Sequence, residues 1–126
     1  MLTETINALT LQTLTGDTAL AAATCEAIIN HAINKINGYA REDILSNMTG
    51  TAGTKTLVVS SYQAGFIISV AIAVYVKDYK QGGANSQSTG VGAVSTVTSA
   101  GDPDILAAKA AASLLVSHND LEVLRG

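Results

Sequence analysis

The feature that most constrains this chain is the stretch from Ala64 to Val76, AGFIISVAIAVYV, which is apolar on nearly every face of a helix. An all-round apolar helix is enclosed either by lipid or by protein. This run is about 13 residues long, and crossing a bilayer takes about 20. Enclosure by protein is the reading that fits, so other helices must surround it. Ser60 and Gln63 stand at capping-box spacing just ahead of it, which places the helix start near Ser61 and its end near Tyr79, before Gly82-Gly83.

The material available for the surrounding core is unusual. Apolar residues make up 48% of the 126, yet Phe66 and four tyrosines are the only aromatics and Trp is absent. Ala, Ile, Leu and Val must do the packing. Small side chains bury little area each, so burial between subunits would add to what one chain gains alone. Charged residues reach only 13%, against about 25% in ordinary soluble domains, which leaves a sparsely charged, rather apolar surface.

The remaining elements follow from spacing. Leu2, Ile6, Leu9 and Leu14 predict a short first helix over 2–14, with Thr3 as its cap, broken by Thr15-Gly16-Asp17. Asp17 is then placed to cap a second helix whose stripe is Ala21, Cys25, Ile28, Ile29, Ala32, Ile33 and Ile36, ending at Gly38. Tyr39–Met48 has room for one more helical turn, and Thr49–Thr56 reads as a flexible loop. Residues 81–100 are rich in Gly and Ser, and Val91, Ala93, Ser95 and Val97 alternate in a way that allows a strand. Asp102-Pro103-Asp104 opens a last helix that runs to about Ser117, followed by a tail over 118–126. The fold expected is mainly α: one domain, a small bundle of about four helices with a long Gly/Ser-rich loop or short β segment before the last.

The chemistry-bearing residues form no constellation. Gly50-Thr51-Ala52-Gly53-Thr54-Lys55-Thr56 looks like a phosphate-binding loop, but its glycines are too close and Thr54 separates the second from Lys55. Cys25, His31 and His118 leave a tetrahedral zinc short of a ligand, and a thiol on an apolar stripe is ordinarily a small hydrophobe. Glu42 with Asp43, and Asp102 with Asp104, have no partner that would make them an acid and base pair. No catalytic, metal or cofactor site is expected, and an enzyme using Cys25 or the 50–56 loop is the least favoured reading. Tyr75 and Tyr79 beside Lys77 and Lys80 read as amphipathic residues closing a core more readily than as a nucleic-acid patch. The seven Lys and Arg are scattered and the net charge is −3, so sequence-reading of DNA is not expected. A single cysteine and an N-terminus without a basic start suit assembly in the cytoplasm.

Three stretches, GDTALAAATCEAIINHAINKINGYA, VSSYQAGFIISVAIAVYVKDYKQ and GVGAVSTVTS before the last helix, together resemble in their layout the small head-tail connector proteins of tailed phages, also called adaptor or head-completion proteins. The resemblance implies a ring of about a dozen copies in the virion. The ring would bind the portal protein on one side and a stopper or tail protein on the other, with DNA passing non-specifically through its lumen and no membrane involved. It further implies an assembly surface drawn from Phe66, Ile67, Val70, Val74, Tyr75, Tyr79, Leu121 and Leu124. The reading from another class is a small helical protein-binding or regulatory module acting as a dimer.

Overall fold

The computed structural model describes residues 2–81 and 102–125, with side chains described through residue 78 and again from 102 to 116. Its elements are β1 (Thr3–Asn7), α1 (Ala8–Thr15), α2 (Ala22–Ala40), β2 (Thr56–Ser60), α3 (Ser61–Val74), a π-helical continuation of α3 over Tyr75–Gln81, and α4 (Pro103–Arg125). The protein is mainly α, with four α-helices and one short two-stranded sheet among the described residues.

The first helix is shorter than its spacing predicts, because Thr3–Asn7 is a strand. It pairs antiparallel with β2, Ile6 opposite Leu57 and Glu4 opposite Val59. Ile6, Leu57 and Val59 are buried and Val58 is exposed, the alternation of a ribbon with one face on a core. The β-branched residues of Thr3-Glu4-Thr5-Ile6 suit a pleated surface, but the partner lies more than fifty residues away and local periodicity carries no sign of it. Asn7 then ends the strand and begins α1. Its Oδ1 accepts the Thr10 N–H at 3.1 Å, and the Thr10 hydroxyl accepts the Asn7 N–H at 3.1 Å. This reciprocal cap leaves only Ala8 and Leu11 of α1 buried.

Asp17 does not cap α2. The helix begins five residues later, after Ala21, and no side chain caps it. Of the predicted stripe, Ala21 is exposed ahead of the helix, and Cys25, Ile28, Ile29, Ala32, Ile33 and Ile36 are all buried. Gly38 is inside the helix, which continues to Ala40 and closes through Arg41 in the left-handed region at φ 58°.

The predicted extra turn between Tyr39 and Met48 is absent. Asparagines on the polar side of α2 hold that segment instead. Asn37 donates to the Leu45 carbonyl at 2.9 Å and accepts the N–H groups of Ile44 and Leu45 at 3.1 and 3.0 Å. Asn30 accepts the Met48 N–H at 2.9 Å. Asn30 and Asn37 are seven residues apart, two helical turns, and so share a face. With its backbone satisfied by these side chains, the segment has no need of helical hydrogen bonds, and it delivers Leu45 and Met48 to the core.

Ser60 caps α3 as predicted, accepting the Gln63 N–H at 3.1 Å while Gln63 accepts the Ser60 N–H at 3.3 Å. Ala64, Ile67, Val70, Ala71, Ala73 and Val74 are buried. Ala107, Ala110, Ala111 and Leu114 of α4 complete the same core. Alanines at these contacts let α2, α3 and α4 approach closely, which is how a chain short of aromatics reaches interior density. Asp102 caps α4, accepting the Asp104 N–H at 2.8 Å. The helix runs to Arg125, well past the predicted end near Ser117. The strand predicted within 91–97 lies outside the described residues.

Candidate functional site

The residues expected to form an assembly surface divide into three groups. Ile67, Val70 and Val74 are at most 1% exposed and pack inside this chain's own core, as does Tyr75. A side chain already enclosed has little area left to bury against a neighbour, so in the single chain these four serve the core. Phe66 is half-buried, its ring edge-to-face with Tyr62 at a centroid distance of 5.2 Å. The side chains of Tyr79, Leu121 and Leu124 lie outside the described residues, although their backbones belong to the π-helical stretch and to α4.

The exposed apolar surface lies elsewhere. Leu2 is 79%, Val58 64% and Tyr62 54% exposed, and all three stand beside the junction of β2 and α3. The Leu2 carbonyl accepts the Ser61 N–H at 3.0 Å, which brings the first residues of the chain against the start of α3. Leu9 and Leu14 are exposed along α1, and Ile105 and Val116 along α4. The resemblance pointed instead to residues of the apolar third helix and the tail. Of the uncovered residues Val58 sits on the outer face of the ribbon and Leu2 and Tyr62 flank it, and nothing in the uniformly apolar Leu57-Val58-Val59 marks which residue faces out.

The thiol of Cys25 is fully buried. Burial first, then the nearby carboxylates of Asp17 and Glu26, push its pKa above the ordinary thiol value. That is the reverse of what a nucleophilic cysteine needs. Tyr75 is also enclosed, and its hydroxyl donates to Asp17 at 2.8 Å rather than to water. Burial, then that hydrogen bond, raises its pKa to about 12. His31 is exposed on α2, and the side chain of His118 lies outside the described residues. Glu42 and Asp43 are exposed, Asp102 serves as a cap, and Asp104 pairs with Lys35. Among the described residues no three His, Cys, Asp or Glu side chains gather where a metal ion could sit, and no helix is long and apolar enough to cross a membrane.

The 50–56 loop does aim backbone N–H groups at an anion, but the anion is the protein's own. Glu26, a residue the sequence reading passed over, is buried, and its two carboxylate oxygens accept the N–H groups of Gly53 at 2.8 Å and Lys55 at 2.9 Å. Each hydrogen bond to a charged group contributes about 1.5–3 kcal/mol. Gly50 and Gly53 have φ of 117° and 94°, a region that glycine enters without strain. A bridge between Thr49 and Thr56 closes the base of the loop, so the segment read as a flexible excursion is tied at its base and at its tip.

Comparison with protein-family models, with curated proteins and with solved structures finds no match to this chain.

Proposed function

We propose that this chain is a structural subunit that assembles with other protein chains, and specifically a subunit of a viral head-tail connector ring that joins the capsid portal to the tail while DNA passes through the lumen. The observation that carries the first part is the set of large apolar side chains left uncovered at Leu2, Val58 and Tyr62, in a chain with only 13% charged residues. Large apolar side chains exposed around one junction are candidates for an interaction surface. The second part rests on the layout of a capped apolar helix flanked by a long α2 and a final α4.

The test is the mass of the purified protein across a concentration series, by light scattering after size exclusion, with negative-stain imaging of any large species, alone and with a portal protein. Rings of about a dozen copies support the connector. A monomer that stays monomeric beside its portal contradicts it, and a dimer fixed at all concentrations supports the small helical binding module instead.

A further inference from the structure

The Thr49–Thr56 loop holds a built feature that subunit assembly does not use. Its turn is closed by the Thr54 N–H donating to the Thr51 carbonyl at 2.9 Å, and its base by the Thr49–Thr56 bridge. Between them the amides of Gly53 and Lys55 converge on the two oxygens of Glu26, a side chain only 3% exposed. Two backbone amides, separated by Thr54 and aimed one at each oxygen of a single carboxylate, make a small anion-binding concavity. An open cavity of about 350 Å³ lies against the same Gly53–Lys55 backbone, walled by Asn7, Gln12, Thr54 and Thr56. Lys55 lines it too, and its ammonium makes no ion pair among the described residues.

We propose that the Gly53–Lys55 segment is a carboxylate-binding nest, that Glu26 is its internal occupant, and that the cavity admits a competing carboxylate which exchanges with Glu26 and frees the loop. The ligand class follows from the donors: two amides spaced for the two oxygens of one carboxylate, with Lys55 among the residues lining the adjoining cavity. Because Glu26 is tethered, it competes at high effective concentration, and an outside carboxylate binds weakly until Glu26 is removed or drawn away.

Amide resonances of Gly53 and Lys55 are followed by NMR during titration with sodium acetate, with sodium phosphate and sodium chloride at matched ionic strength as controls. In Glu26→Ala, acetate produces saturable shifts at both amides with an affinity at least tenfold tighter than in the unaltered chain, and adding Lys55→Ala weakens it again. Equal responses to acetate and chloride, a preference for phosphate, or equal acetate affinity with and without Glu26 would each overturn the proposal. Should Glu26→Ala fail to fold, Glu26→Gln keeps the side-chain volume but offers one acceptor oxygen. One of the two amides then loses hydrogen-exchange protection and regains it with acetate, and unchanged protection in that variant overturns the nest.

Discussion

The hydroxyl of Tyr75 donates to the carboxylate of Asp17 at 2.8 Å, joining residues 58 apart in sequence across the end of α3 and the turn before α2. The contact explains two departures from local expectation. Asp17, five residues ahead of α2, holds the tyrosine hydroxyl instead of capping the helix, and Tyr75 is enclosed with its polar tip partnered there.

Tyr75→Phe therefore removes the hydroxyl but keeps the ring. Leaving Asp17 without that donor costs about 1–3 kcal/mol. Urea denaturation should show a lower midpoint with an unchanged slope, since the buried surface is the same. A stability equal to that of the unaltered chain would mean that water serves Asp17 equally well.

The same residue sets an alkaline limit. A tyrosine whose pKa rises from 10.0 in the unfolded chain to about 12 in the folded one contributes stability that is complete below pH 10.0 and is lost as pH climbs toward 12. Phenolate absorbance should show a late tyrosine ionisation near pH 12. Tyr75→Phe should remove both that late step and its share of the alkaline loss of stability.

Asn37→Ala breaks three hydrogen bonds to the segment after α2 and leaves the N–H groups of Ile44 and Leu45 without that acceptor. A destabilisation of about 1–3 kcal/mol is expected, with faster hydrogen exchange at those two amides. Exchange that stays slow would show that the buried side chains of Leu45 and Met48 hold the segment unaided.

Ile67→Ala should destabilise the isolated chain by about 2–5 kcal/mol, because it opens a cavity in the chain's own core. Val58→Thr combined with Leu2→Ser should leave that stability within about 0.5 kcal/mol and reduce association seen by light scattering. The opposite pattern, with Ile67→Ala weakening association and sparing stability, would return the assembly surface to the helix interior.

Cys25 should resist a thiol reagent in the native chain and react at the rate of an ordinary thiol in denaturant, since it is buried and its pKa is raised. Fast native labelling would show that the start of α2 opens readily.

The elements legible from sequence were those specified by neighbours a turn or two away. The α2 stripe from Cys25 to Ile36, the Ser60–Gln63 capping box and the Asp102-Pro103 start of α4 each rest on interactions three or four residues long, and each stands where spacing placed it. Even there the ends shifted. α2 runs past Gly38 because a helical glycine costs only about 1 kcal/mol relative to alanine.

What tertiary structure decided were the contacts between distant segments. Thr3–Asn7 is a strand because Thr56–Ser60 lies beside it. Asp17 serves Tyr75 because α3 arrives there, and the glycine-rich loop holds its shape because Glu26, twenty-seven residues before Gly53, supplies the anion its amides face. Periodicity marks the apolar faces of a helix but not which faces meet. Ile67, Val70 and Val74 therefore read equally well as core or as interface until α2 and α4 close over them. The uncovered residues at Leu2, Val58 and Tyr62 are defined only by what the rest of the chain fails to reach, a property of the packed whole rather than of any window of sequence.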